Sequence, residues 1–330
     1  EYFDRAITPT PVFFVRSHFG PPSFDKTRKL SIDGLVQTPL SLSVDDLHAF
    51  PEVTLTAVLQ CAGSGRSFIE PRVPGVQWTH GAMGQATWTG VRLRDVLAKA
   101  GVSPEVLHAR LTGADLSPKP TVPSFVRSVP LARALDPSTL LAYRMNGEPL
   151  PHAHGGPVRL VVPGWAGDHW TKWITQIHLQ KEEAEGFYMQ TAYKFPIAPG
   201  TPGVAVPPER MRSLTTFPVR SIIAKPADGS RVVAGPQEVV GVAFSGDAAI
   251  ASVEISLDGG KTWRGAALEG EGGVGRWQVF RFRFVQKGPG RVSALVRATD
   301  KRGSKQPQNA VWNPGGYHWN GWHGVTWEVG

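Results

Sequence analysis

Cysteine is almost missing from this chain: 330 residues carry one thiol, Cys61. A lone thiol closes no internal disulfide. It also excludes the closed zinc and iron–sulfur sites, which need three or four ligands from a Cys/His cluster. Three readings of Cys61 stay open: a small buried hydrophobe, a reactive thiol, or a metal ligand whose other donors come from an organic cofactor. No run of eighteen apolar residues is present, so no segment reads as a membrane-spanning helix. No G-x-G-x-x-G follows a strand, which leaves a dinucleotide fold unsupported. Lys and Arg number 35 against 27 Asp and Glu, a net charge of +8. These basic residues are scattered, without a Lys/Arg run or a basic helix, which suits small anions better than nucleic acid. The ten histidines are dispersed as well. His152 and His154, or His318 and His323, fit surface or capping roles.

What is there points to two domains, because the chain exceeds the size at which one core stops growing. Residues 1–210 mix short strands and helical segments without a regular repeat, an α+β pattern. "WTGVRLRDVLAKAGV" (88–102) has apolar residues at helical spacing and Gly101 placed as a C-cap, and "LSVDDLHAF" (42–50) predicts another short helix. "PVRLVVPGW" (157–165) and "TKWITQIHL" (171–179) predict strands. "PGTPGVAVPPER" (199–210) is too rich in proline for helix or sheet and predicts an extended connector. Beyond it, "ASVEISLDGGKTW", "RWQVFRFRF" and "GRVSALVRATD" alternate with period two, which predicts an immunoglobulin-like β-sandwich over 211–330. In the first of these, Asp258-Gly259-Gly260 supplies positive φ for a tight hairpin. "SLDGGKTW" also matches the Asp-box of sialidase propellers. It occurs once, without the blade repeat a propeller needs, and so reads as a stable hairpin.

"CAGSGR" (61–66) resembles the CAGN-[RG]-R signature of the sulfite oxidase family of molybdenum enzymes. "FFVRSHFGPP", "GVQWTHGAMGQATWTGVRLRDVL", "LLAYRMNGEPLPHAHGGPVRLVVPGWAGDHWTKWI", "TAYKFP" and "WNPGGYHWNGWHGV" resemble further family blocks, in order and nearly end to end. The resemblance implies a mixed α+β molybdopterin-binding domain over 1–210, followed by a dimerisation sandwich. It implies molybdenum held by Cys61 as the one protein ligand, with the pyranopterin dithiolene of molybdopterin supplying two more sulfurs. It implies that His18, His154, Arg159 and Lys172 hold the pterin and its phosphate. Arg16 and Arg66 would face the substrate oxyanion, Trp78 would wall the pocket, and Tyr193 would stand beside the transferred oxygen.

The implied activity is oxidation of sulfite to sulfate, with the electrons passed to an external acceptor such as a c-type cytochrome. The runner-up readings are a related molybdoenzyme that reduces nitrate or another S- or N-oxide, and a non-catalytic anion-binding protein. The chain has no C-x-x-C-H haem site and no cytochrome b5-like or flavin domain. It thereby resembles a haem-free bacterial sulfite dehydrogenase, expected in the periplasm as a homodimer. Three positions depart from the family pattern. Ser17 and Ser64 stand where asparagine is usual, and Gly324 where many relatives carry an arginine, which implies altered hydrogen bonding and a weaker anion clamp.

Overall fold

The computed structural model describes residues 2–23, 25 and 27–330. Strands dominate the fold. Among the described residues the α-helices are short, the longest being Leu93–Ala100. The α+β expectation is corrected in that direction. The predicted helix over 88–102 starts only at Leu93, because Trp88 to Arg92 continue the strand Met83–Arg92. That strand lies between Glu52–Gln60 and Leu140–Met145, so its backbone groups find partners on both sides. Propensity for helix yields to the ladder. Gly101 closes the helix at φ +70°, as the sequence predicts.

Two five-stranded sheets build the first half. One runs in the order Leu40–Leu42, Leu30–Gly34, Ile174–Gln180, His108–Gly113, Val126–Pro130. The other carries Glu52–Gln60, Met83–Arg92, Leu140–Met145 and Glu148–Pro149, with Arg159–Val161 paired to Leu140–Met145. One apolar core, including Ile32, Trp88, Val96, Leu111 and Ile177, packs these elements together.

The second half strings eight strands along one hydrogen-bonded path from Arg220–Lys225 to Arg231–Val232. Its core is Val239, Ile255, Phe280, Val296, Trp327 and their neighbours. The predicted tight hairpin at Asp258 is wider than expected: pairing resumes only at Ile255 opposite Arg264. Gly259 and Gly260 do take positive φ, +74° and +91°. Asp258 accepts from the Thr262 N–H at 2.9 Å and its hydroxyl at 2.5 Å, while the Ser256 hydroxyl donates to Asp258 at 2.7 Å. The Asp-box residues thus brace their own loop. Residues 199–210 form no strand, only a 3-10 turn at Pro208–Arg210.

A third cluster joins the halves. Val58 and Met83 pack with Phe217, Ile222, Val242, Phe244 and Trp277. Gln85 donates its amide to the Trp277 carbonyl at 3.2 Å and accepts from the Trp277 N–H at 2.7 Å. At this seam Gly164 lies so close to Gly246 that a Cβ on Gly164 would meet the Gly246 carbonyl oxygen at 2.4 Å. Only glycine permits that approach.

Candidate active site

Cys61 leaves the end of Glu52–Gln60 and enters a loop closed by Gly65 at φ +88°. Its N–H donates to the Ala82 carbonyl, and its own carbonyl accepts from the Ser64 N–H. The thiol opens on a cavity of about 740 Å³ counting the open solvent at its mouth. Burial pushes the Cys61 thiol up, against the pull of Arg66 and Arg16. A bound cation would reverse that balance, because a coordinating thiol is deprotonated outright.

Of the residues singled out from sequence, Arg16, His18, Cys61, Arg159, Lys172 and Tyr193 all line this one cavity. They come from segments more than 170 residues apart. Arg159 is fully buried, donating to the His154 carbonyl at 2.8 Å and the Trp170 carbonyl at 2.9 Å. Its guanidinium lies against the rings of Trp88 and Trp170. Burial pulls Arg159 down to about 9 and, aided by Arg159, Lys172 to about 7. Lys172 donates to the Ser17 hydroxyl at 2.5 Å and the Ala153 carbonyl at 3.1 Å. Neither cation is ion-paired among the described residues. Thr171, on the same wall, has a buried hydroxyl without a hydrogen-bond partner. Two cations without a salt bridge, Lys172 offset only by the field of Asp115 across the wall, and an orphaned hydroxyl form a donor set that an anionic cofactor tail would satisfy. The residues therefore fit a pterin phosphate.

At the other end Tyr193 sits in the left-handed region, φ +54°, a conformation costly for an aromatic residue. Its ring stacks on Tyr317 at 5.5 Å and lies over Arg127 at 5.4 Å. Its hydroxyl is 2.6 Å from His18 Nε2. Burial, reinforced by Arg16, holds His18 down to about 4, so the imidazole is neutral near pH 7. It can therefore either accept a hydrogen bond from the phenol or donate one to it, depending on its tautomer. Burial raises the Tyr193 phenol well above its ordinary value, with Asp168 adding to the effect.

Arg66, Trp78 and His154 are not brought to the cavity wall. Arg66 spends its guanidinium on the Gly315 carbonyl at 3.0 Å and the Val76 carbonyl at 3.0 Å. It also lies over the Tyr317 ring. A Cβ on Gly63 or Gly75 would meet that guanidinium at 2.7 Å, so the glycines of its own loop make the slot it fills. Trp78 is half-buried, with its backbone bridging Val76 and Ser67. His154 is buried edge-on against Phe13 and reaches the site through its carbonyl on Arg159. Gly324 lies in His323–Val329 opposite Leu295, inside a ladder.

Sequence reading missed residues that the fold brings in. Asp115, Phe125 and Asp168 share the cavity wall. From the second half, Arg220 donates to the Ser64 carbonyl at 3.3 Å and the Ser64 hydroxyl at 3.2 Å, and contacts His80 Nδ1 at 3.0 Å. The His318 N–H donates to the Ala62 carbonyl. Ser64, a departure from the family pattern, is thus the seat of an inter-half bond. No spacing could have announced these pairs; the one signal left unread was Asp168, an acid between Trp165 and Trp170 in an apolar block.

Comparison with known proteins matches the family described as "Oxidoreductase molybdopterin binding domain" over residues 18–188, and "Mo-co oxidoreductase dimerisation domain" over 211–329. The chain is 39% identical to the mitochondrial sulfite oxidase of Homo sapiens over 336 residues, covering 98% of this chain and 62% of that protein. It therefore spans under two thirds of the length of its mammalian relatives. It is 33% identical to the sulfite oxidase of Arabidopsis thaliana, covering 98% of this chain and 88% of that one. The crystal structure of the sulfane dehydrogenase SoxCD from Paracoccus pantotrophus superposes with a TM-score of 0.84 at 31% identity, covering 96% of this chain and 80% of that one.

Proposed function

Since the chain belongs to the sulfite oxidase family of molybdenum enzymes, whose cofactor is molybdenum carried by molybdopterin, we propose that it oxidises sulfite to sulfate. Sulfite and water give sulfate, two protons and two electrons, and the electrons pass to an external acceptor such as a c-type cytochrome. The observation that carries this reading is the convergence of one thiol, the cations Arg16, Arg159 and Lys172 and a hydrogen-bonded Tyr–His pair on one cavity.

When bound, the cofactor supplies the two-electron oxygen-atom chemistry. Cys61 would hold the metal through its sulfur, while Arg159, Lys172 and the Thr171 hydroxyl would hold the phosphate. Arg16, whose guanidinium makes no hydrogen bond or ion pair among the described residues, is free to neutralise the substrate. Tyr193 would hydrogen-bond a substrate oxygen, its hydroxyl positioned by His18 Nε2. Arg66 would act on the loop that carries Cys61, since its donors are already engaged.

Arg16→Met is expected to raise the KM for sulfite about 10- to 100-fold, the worth of one charge-assisted bond of about 1.5–3 kcal/mol. Arg66→Met should instead lower thermal stability and metal retention more than affinity. Steady-state kinetics beside thermal melts separate the two, and equal KM effects would sink this division of labour. The function itself is tested by metal analysis with a sulfite-dependent dye-reduction assay. Molybdenum at one per chain with no sulfite turnover would overturn it.

The boundary between catalytic and dimerisation domains is placed near 210, where the strandless connector ends. Residues 211–330 are read as an immunoglobulin-like sandwich that pairs the chain into a homodimer, and sedimentation of the intact protein checks that assembly. No helix of the described residues is long and apolar enough to cross a membrane. A periplasmic location is the corresponding proposal, by analogy with a bacterial sulfite dehydrogenase.

A further inference from the structure

Inside the cavity the charges that face Cys61 and Tyr193 are not all positive. Asp168 lines the same wall as Arg16, Cys61 and Tyr193, and its side chain is 1% exposed. Its Oδ2 pairs with Arg127 Nη2 at 2.8 Å, and neither of its oxygens accepts a well-aligned hydrogen bond. Arg127 is itself fully buried, fixed by the Tyr188 carbonyl and by His169 Nε2 at 2.9 Å. His169 Nδ1 lies 3.2 Å from the same carboxylate. Burial, with Arg127 beside it, drives that imidazole far below its ordinary value, so it brings no charge. Arg127 does not line the cavity. The pair is neutral as a whole: the carboxylate belongs to a residue of the wall, while the guanidinium reaches the site only across the Tyr193 ring, 5.4 Å from its centroid.

An oxyanion held between Cys61 and Tyr193 would meet Arg16 as attraction and Asp168 as repulsion. Coulomb energy scales with the product of the charges, so a dianion feels both twice as strongly as a monoanion. We infer that Asp168 is a specificity-determining residue of this cavity: its carboxylate, anchored on Arg127, opposes the second negative charge of a bound oxyanion and biases the site toward singly charged species. The inference rests on the sulfite reading above for its physiological meaning, but its electrostatics can be measured without turnover.

The test uses the holoenzyme at pH 8.5. Burial pushes the Asp168 carboxyl up to about 7 despite Arg127, so the carboxylate is charged there. Sulfate and nitrate binding are measured by calorimetry, and the sulfite KM by dye reduction, for the wild type, Asp168→Asn, Arg127→Gln and the double variant. Asp168→Asn is expected to tighten sulfate about tenfold and nitrate only about threefold, and to lower the sulfite KM in parallel with sulfate. Arg127→Gln removes the counter-ion that holds the carboxyl down, so the carboxyl takes up a proton, and this variant and the double variant should bind sulfate alike. Mere structural damage would weaken all three variants. Should Asp168→Asn lose its metal or fail to fold, the double variant measured against the wild type carries the test, since it leaves no buried unpaired charge: sulfate should tighten more than nitrate, and equal shifts would overturn the inference. Unchanged or weaker sulfate binding in a folded Asp168→Asn, or equal shifts for sulfate and nitrate, would overturn the inference. A wild-type protein that binds these anions but does not oxidise sulfite would refute the functional reading and leave this one standing.

Discussion

Cys61→Ser is expected to abolish sulfite-dependent turnover and the thiolate-to-metal absorption band while leaving the chain folded. The two effects separate because the thiol contributes little to packing. Its backbone, rather than its sulfur, is tied to Ala82 and Ser64, and those bonds survive the change. A serine hydroxyl is a harder and far less acidic donor than a thiol, so it does not replace a thiolate on a soft site. Arg159 and Lys172 remain to hold the cofactor's anionic tail, so pterin content should fall much less than activity. Absorption spectra, pterin analysis and dye reduction on the purified variant check this. Full sulfite oxidation by Cys61→Ser would remove the thiol from the metal.

A chain cut after residue 210 should yield an insoluble fragment that binds no molybdenum, although the cavity wall is drawn from residues before the cut. Such a cut exposes Val58 and Met83, now packed under Phe217, Phe244 and Trp277, at about 1.5–3 kcal/mol per large side chain. It also removes Arg220 from Ser64, His318 from Ala62 and Tyr317 from the face of Tyr193. The loop that presents Cys61 thereby loses its far anchors. Arg220 is a fully buried cation with carbonyl, hydroxyl and ring partners, so the bond it makes is set deep in the seam. Soluble expression and metal content of the fragment are the measurements. A soluble, metal-loaded 1–210 would show that the second half serves assembly alone.

The family was legible because its blocks are local. "CAGSGR", the Arg16 to His18 run and the Tyr193 to Pro196 run are read within a few residues, and each carries chemistry that a backbone loop can present by itself. The close of the helix at Gly101 and the positive φ of Gly259 and Gly260 were legible for the same reason: each is settled within about four residues. For Arg66 the sequence could not give the setting, because an arginine in a signature block looks alike whether its guanidinium faces substrate or two carbonyls. The carbonyls it meets belong to Val76 and to Gly315, the second 249 residues away.

By itself the sequence determined that one thiol is available, that the second half alternates with period two, and that the site must draw on arginine, lysine, histidine and tyrosine from separate blocks. The tertiary structure alone decided which of these residues share a wall. It brought Asp168 inside on the arm of Arg127, and locked Arg66 into the glycine slot of its loop. It seated Arg220 of one half under the Cys61 loop of the other. The physical reason is range: turns, caps and periodicity are settled by neighbours in the chain. The field in a cavity is instead the sum of charges carried there by packing, and packing depends on partners that no spacing in the chain records.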